Sequence, residues 1–393
     1  MTIVKFAFED RLRKWNLEPT EFSPFNLLVG ASGVGKTRIL ESLNRVRLAA
    51  TKGARRVPDC SWTLIVEASG QRYTWKAQTG GAQNMGDALT QDDEDDNDTS
   101  GEGVRFVEEE LTSSDGVIVS RTPETFIFNG EKLPQLKDTD SAIELLRREE
   151  VIKPLHLAMQ RFLFSGTHQP IAGFVPFDKQ RVEKVEARVG TFDDLRDDSS
   201  GLTVLAKAVI MQNKFAKEFA TVVGQYREIF DQVEEVRVGP LSEFEKTSDD
   251  LPPFFPMEWI TVALRERQID GWLVHHRVSS GMLRTLIHLF ELALAPTGTV
   301  VLIDEFENSL GVNCLPQVAD RLVERSKDLQ FFVTSHHPYV INNIPWNEWR
   351  VVVRKGTSVR VLTSSDIPAL HTASSHDRFT ILSNLPEFER GIQ

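Results

Sequence analysis

Cysteine is nearly missing from this 393-residue chain: Cys60 and Cys314 are its two, far apart in sequence. Two distant thiols give neither a disulfide framework nor a zinc-ligand spacing. Long hydrophobic runs are missing too. The most apolar stretch, Ile287–Ala295, contains Glu291 and is too short to cross a bilayer. The start, Met1-Thr2-Ile3-Val4-Lys5-Phe6, alternates as a strand does and has no signal-peptide pattern. No fixed-period repeat and no sustained heptad occurs, which argues against a solenoid and against a long coiled-coil arm. These absences predict a cytoplasmic protein with no membrane partner. What remains is globular in composition, 40% apolar and 26% charged, and long enough for more than one lobe.

The formal charge of −12 is uneven. The tract 92–110 sets ten acidic residues against Arg105, and the rest of the chain is close to neutral. The tract reads as a solvated, disordered loop. The alternative is a regulatory segment that repels or mimics nucleic acid. The basic spots Arg11, Arg13 and Lys14, and Lys52, Arg55 and Arg56, read as solvated surface, with a nucleic-acid contact as the other reading.

Residues 30–37 are Gly30-Ala31-Ser32-Gly33-Val34-Gly35-Lys36-Thr37, a complete G-x-x-x-x-G-K-[ST] phosphate loop. An apolar strand, Phe25-Asn26-Leu27-Leu28-Val29, leads in. A helix with Ile39, Leu40, Leu43 and Val46 on one side leads out. The glycines let backbone amides turn onto phosphate oxygens, and the helix start adds a positive dipole end. Lys36 supplies a point charge for the β- and γ-phosphates, and the Thr37 hydroxyl suits Mg²⁺.

Two later apolar strands end in reactive groups. Thr299–Ile303 runs into Asp304-Glu305, and Gln330–Val333 into Thr334-Ser335-His336-His337. Such unbroken runs suit a parallel sheet buried on both faces, and ligands of open α/β sheets bind at the carboxyl ends of the strands. Three distant segments thus converge on one nucleotide. Asp304 is the candidate Mg²⁺ ligand and Glu305 the candidate general base. His336 is the candidate partner of the γ-phosphate or of the attacking water. Before the apolar helix Leu283–Ala295, Ser279 or Ser280 caps the helix and Gly281 allows close approach, an anion site in its own right.

Between these motifs, residues 61–77 predict a hairpin turning at Ser69-Gly70. Short strands follow at 104–111, 116–121 and 124–128, with Asn129-Gly130 as a turn. Ser141 predicts a helix cap. Residues 165–200 read as a loop rich in Gly, Pro and Asp, and 201–232 as one long helical stretch. Pro-rich 251–256 marks a boundary, and strands return at 258–266 and 271–275.

The order phosphate loop, Ser280-Gly281-Met282-Leu283-Arg284, Ile303-Asp304-Glu305-Phe306-Glu307-Asn308, Thr334-Ser335-His336-His337-Pro338 resembles an ABC-type ATPase head. More narrowly it is similar to the soluble group that holds the structural-maintenance-of-chromosomes proteins, the OLD (overcoming lysogenization defect) ATPases and ATPases of bacterial anti-phage systems. The resemblance covers about residues 1–75 and 255–365. It implies an α/β fold: an ABC-type P-loop ATPase with a mainly parallel core sheet, an antiparallel β subdomain and an inserted helical subdomain. The expected parts are 1–78 and 256–365 for the core, 79–136 for the β insertion, 137–255 for the helical insertion and 366–393 for a tail. The resemblance implies ATP and Mg²⁺ as cofactors. It also implies a homo-oligomer in which Ser279, Ser280 and Gly281 cap the nucleotide of another copy, with Asn308-Ser309 at the subunit boundary. Glu305 is then the base, His336 the switch histidine and Gln160 the lobe-bridging glutamine. Ser309-Leu310 is followed by Gly311-Val312 where the family often has His-Pro, and Ser-Ser-Gly-Met replaces the transporter-type Ser-Gly-Gly-Gln. The signature argues against a transporter subunit, and so does the acidic, arm-bearing middle of the chain. The stretch 363–393 is too short for the nuclease domain of OLD proteins, so a cleaving effector is expected on a separate polypeptide.

Three functions compete: an ATPase whose association gates a separate nuclease or toxin in anti-phage defence, a nucleotide-locked scaffold that sequesters a toxic partner, and a DNA-repair head working with a nuclease.

Overall fold

The computed structural model describes residues 1–81, 103–165, 173–245, 258–308, 314–368, 380–382 and 384. The chain forms two units. One comprises Met1–Gly166, Gly298–Glu305 and Ser326–Gln393, the other Thr167–Thr297 and Phe306–Arg325.

In the first unit a fourteen-stranded sheet is seen among the described residues. Its order is β10 (Phe162–Ser165), β15 (Val300–Ile303), β16 (Gln330–Thr334), β3 (Phe25–Val29), β17 (Trp349–Lys355), β18 (Ser358–Thr363), β2 (Trp15–Glu21), β1 (Thr2–Asp10), β4 (Cys60–Ala68), β5 (Gln71–Gly80), β6 (Arg105–Ser113), β7 (Gly116–Arg121), β8 (Phe126–Phe128), β9 (Glu131–Leu133). The first five strands are parallel and form the core. From β1 to β9 the pairing is antiparallel, which is the β subdomain. Every residue of β3, β15 and β16 is buried, as the continuous apolar runs require. The one polar side chain on β3, Asn26, is satisfied: its Nδ2 donates to Ser23 O (2.7 Å) and Phe331 O (3.1 Å). Helix Lys36–Lys52 lays Ile39, Leu40, Leu43, Val46, Ala49 and Ala50 into the hydrophobic core of this unit.

Both hairpin turns form as the sequence predicts. Ser69 and Gly70 have φ of 51° and 79°, Asn129 and Gly130 of 49° and 83°, the left-handed pair of a two-residue turn. Ser141 caps its helix by accepting from Glu144 N, but the helix is the single turn Ala142–Leu145, followed by Lys153–Gln160.

The acidic tract is not one solvated loop. Residues 92–102 lie outside the described residues, but Arg105–Glu110 belong to β6. There Glu109 is buried and ion-paired: Arg121 Nη1 donates to it (3.3 Å), as do Trp75 Nε1 (2.9 Å) and the Ala142 amide (2.9 and 3.0 Å). Burial pushes the Glu109 carboxyl up, against the charge of Arg121 and the hydrogen bonds of Ala142 and Trp75. Arg121 also donates to the carbonyls of Asp140 and Lys137, both at 2.8 Å. The cluster therefore ties the β subdomain to the helix start at Ser141.

The second unit holds an antiparallel sheet, β11 (Phe174–Phe177), β13 (Glu258–Glu266) and β12 (Val233–Pro240), with β14 (Leu273–Val274) on β13. The sequence predicts a loop from 165 to 200, whereas Lys179–Arg188 and Phe192–Arg196 are helices. Their caps override the loop-like composition: Asp178 accepts from Arg181 N, and Thr191 with Asp194 makes a capping box. The predicted single helix over 201–232 is two, Val204–Lys214 and Ala216–Ile229. It breaks at Phe215 (φ −123°, ψ 55°), whose ring packs on Phe192 at 5.6 Å. The Pro-rich boundary 251–256 lies outside the described residues.

Replacing Arg121 by Met leaves Glu109 buried without its cation, so Arg121→Met is expected to lose about 3–5 kcal/mol in urea unfolding. The double variant Glu109→Gln, Arg121→Met is expected to lose less.

Candidate functional site

The phosphate loop leaves β3 and is shaped by glycines where no side chain fits. Gly30 has φ 149°, and a Cβ on it would lie 2.6 Å from Val352 O. Gly35 has φ 107° and caps the following helix, and a Cβ there would lie 3.1 Å from Trp15 Nε1. The amides of Ser32, Gly33, Val34 and Gly35 have no hydrogen-bond acceptor among the described residues. Four successive donors without acceptors form an anion cradle. Lys36 Nζ donates to Gly30 O (2.8 Å) and Ala31 O (3.0 Å), so the ammonium sits inside the loop's own curve.

The strand register brings the other groups to the same end. Thr334 lies opposite Leu28 and Val333 opposite Ile303, so Asp304 follows β15 at the level of Thr334. Thr37 Oγ1 donates to Asp304 Oδ1 (3.1 Å), and Thr334 Oγ1 donates to the same oxygen (2.6 Å). Thr334 Oγ1 in turn accepts from Glu305 N (2.7 Å). Glu305 has φ 47°, a left-handed conformation that a residue with a side chain adopts seldom outside turns and functional sites. His336 follows β16 and is exposed. Its neighbour His337 is engaged as a helix cap, with Nδ1 accepting from Tyr339 N (3.2 Å).

The structure thus brings Gly30–Thr37, Asp304 and Glu305 together, with His336 following on at the same end of β16. It does not bring Gln160 there. Gln160 ends helix Lys153–Gln160 before β10, whose Phe162 pairs with Val300 at the start of β15. Four strand residues, about 13 Å, separate that level from Asp304. The predicted role fails because strand direction, not proximity in sequence, decides which end a residue occupies. Ser279, Ser280 and Gly281 begin helix Ser280–Leu294 in the other unit. Ser279 Oγ accepts from Met282 N (3.3 Å), both serines are exposed, and Gly281 O accepts from Thr285 Oγ1 (2.8 Å). Asn308 is exposed and its carbonyl accepts from Arg284 Nη1 (3.1 Å); Ser309 lies outside the described residues.

Two contributors escape the sequence reading. Thr334 is the hydroxyl that joins Asp304 to the Glu305 backbone, and its signal was the Thr-Ser-His phrase itself. Trp15 backs Gly35 with an indole N–H that has no acceptor among the described residues.

An octahedral Mg²⁺ with oxygens at about 2.0–2.1 Å sets neighbouring ligand oxygens about 2.9 Å apart. The Thr37 and Asp304 oxygens, 3.1 Å apart, fit such a pair. No cluster of three or more His, Cys, Asp or Glu side chains that could hold a metal occurs among the described residues. The remaining ligands of such an ion would be phosphate oxygens and water.

Loop, helix start and strand-end carboxylate on a parallel sheet define a P-loop nucleotide-binding protein. The chain belongs to the family described as "AAA domain, putative AbiEii toxin, Type IV TA system", which matches residues 139–342, just over half of the sequence. That span includes Asp304, Glu305 and His336 and starts after the phosphate loop. No curated protein matches the chain. Among solved structures it is similar to an SmcHead bound to the C-winged helix domain of ScpA (14% identity, 94% of this chain and 100% of that one, TM-score 0.47). Others are the SMC head domain from Thermotoga maritima (11%, 92% and 99%, 0.42) and a Pyrococcus furiosus Smc head with an extended coiled coil bound to the C-terminal domain of ScpA (15%, 97% and 98%, 0.43). No helix among the described residues is long and apolar enough to cross a membrane.

Thr334→Val keeps the volume but removes one of the two donors to the Asp304 oxygen and leaves the Glu305 amide without this acceptor. It is expected to lose about 1–3 kcal/mol in urea unfolding, with Thr334→Ser recovering most of it.

Proposed function

We propose that this chain is a Mg²⁺-dependent ATPase of ABC type, which associates with a second copy on ATP and separates on hydrolysis, and so gates a separate effector. The observation that carries the reading is the Thr37–Asp304 contact, a hydroxyl of the phosphate loop on a strand-end carboxylate 267 residues away. A hydroxyl and a carboxylate brought together beside four unsatisfied amides are what a metal-bound triphosphate needs.

In this reading the amides of Ser32 to Gly35 take phosphate oxygens, and Lys36 exchanges the Gly30 and Ala31 carbonyls for the β- and γ-phosphates. Thr37 and Asp304 hold Mg²⁺. When bound, that ion neutralises charge developing on the phosphate oxygens. Glu305 accepts a proton from the attacking water. His336 hydrogen-bonds the γ-phosphate or orients that water. Ser279, Ser280 and Gly281 offer a hydroxyl-bearing helix start to the nucleotide of the second copy, with Asn308 at the boundary. Gln160 has no part in it. The family description names a putative toxin and a type IV TA system, which supports a toxic effector; in this reading the setting is anti-phage defence. A second reading is a scaffold that sequesters a toxic partner, uses ATP binding as a lock and needs little hydrolysis; the toxin in the family description supports such a partner.

Lys36→Ala is expected to weaken ATP binding by at least about tenfold in calorimetry. Glu305→Gln is expected to keep binding while hydrolysis falls about 10²–10⁴-fold and an ATP-dependent dimer accumulates in light scattering. Hydrolysis by Glu305→Gln at the parent rate would falsify its role as the base. Effector control that persists in Glu305→Gln but is lost in Lys36→Ala would select the locked scaffold.

A further inference from the structure

The hairpin of β17 and β18 lies against the phosphate loop and carries a cation that the reading above does not use. β17 runs parallel to β3, with Val351 opposite Val29, so the following residues pass beside the loop. Arg354 is half-buried there. Its Nε donates to Gly356 O (2.8 Å), in the turn of its own hairpin, and its Nη1 donates to Gly33 O (3.4 Å), in the loop. No carboxylate lies within ion-pair distance of it among the described residues. The turn carbonyl fixes the orientation of the guanidinium, and the guanidinium then holds the carbonyl of Gly33.

A trans peptide points its carbonyl and the next amide in opposite directions. Holding Gly33 O toward Arg354 therefore turns the Val34 N–H away from Arg354. That amide is one of the four in the loop without an acceptor. Gly33 has φ 81° and no atom within 4 Å of where a Cβ would sit, so its own packing does not fix this peptide. Glycine at position 33 tolerates two orientations of the plane while the Val34 side chain stays in the core, and only one of them offers the Val34 amide to an anion.

We propose that Arg354 is a positioning residue of the nucleotide site, which presets the Gly33–Val34 peptide for phosphate and adds an unpaired positive charge at the rim of the loop. The proposal rests on the ATP-binding reading above. Its ligand class is a nucleoside triphosphate, held through its phosphates rather than its base. A guanidinium already anchored by Gly356 costs little further side-chain entropy when the ligand arrives.

The test is ATP affinity and steady-state hydrolysis by the full chain carrying Arg354→Ala, Arg354→Gln or Arg354→Lys, with Lys36→Ala alongside and the thermal midpoint of each. Arg354→Ala is expected to raise Kd and KM for ATP about tenfold while kcat changes less than about threefold. Arg354→Gln, a neutral donor, is expected to recover part of the affinity, and Arg354→Lys more of it at low salt than at high salt. A Kd for Arg354→Ala within twofold of the parent, with Lys36→Ala defective, overturns the role of Arg354 and leaves the ATP reading standing. A parent that binds no ATP overturns both. If Arg354→Ala lowers the thermal midpoint but its folded fraction binds ATP as the parent does, the contact serves stability alone and the proposal fails. If Arg354→Ala does not fold, Arg354→Gln decides by the same Kd criterion.

Discussion

One oxygen of Asp304 accepts from two hydroxyls that reach it from different parts of the chain, Thr37 beyond β3 and Thr334 at the end of β16. This small node fixes the arrangement of everything around it. Thr37 belongs to the first turn of the helix that leaves the phosphate loop, so the loop cannot move without breaking the contact. Thr334 also accepts the Glu305 amide, which sets the direction of the chain as it leaves β15. The node exists because β15, β16 and β3 are neighbours in one parallel register. A slip of one residue would turn Thr334 to the other face of the sheet and leave Asp304 without it.

Around this node the backbone is held in conformations it would not choose alone. Gly30 and Gly35 pass where a methyl would meet Val352 O and Trp15 Nε1, and Glu305 is left-handed with a side chain attached. Such conformations persist when the surroundings over-determine them. Here the surroundings are three fully buried strands and a helix whose apolar face is packed into the same core. The rigidity of the sheet is what lets the loop keep several backbone donors without an acceptor among the described residues.

Much of this was legible in the sequence because its signals are local. A strand, G-x-x-x-x-G-K-T and an amphipathic helix follow one another within thirty residues, and each hairpin turn and the Ser141 cap announce themselves in two to four residues. The pairing of Asp304 with Thr37 was legible one step further out, because ligands gather at the carboxyl ends of parallel strands. What failed needed long-range information. Gln160 adjoins a strand of the core, but the direction of β10 puts it at the wrong end. No strand is read at Trp349–Thr363, although this hairpin closes the sheet onto both β3 and β2. Composition reads the acidic tract as a loop although its last residues fall in the strand predicted at 104–111, because composition does not say which acid is buried. Glu109 differs from its neighbours only in facing Arg121 across a strand pair and the amide of Ala142 beyond it.

The same point resolves the mismatch between an acidic chain and an anionic ligand. A net charge of −12 would oppose a triphosphate if charge acted from a distance. At physiological salt the screening length is about 8 Å, so distant carboxylates count for little. Part of the acidic tract is also cancelled where it stands, Glu109 by Arg121 and Glu110 by Lys76. At the loop the order of terms reverses: four amides, the Lys36 ammonium and the helix start all present positive ends to the same small volume, and Arg354 stands beside them without a carboxylate partner among the described residues. Affinity for phosphate is set by this local field and by its preorganisation, because donors already turned inward need no reorganisation when an anion arrives. The sign of the whole protein acts at long range, and the sign within one Debye length of Gly33 acts on an anion at the loop.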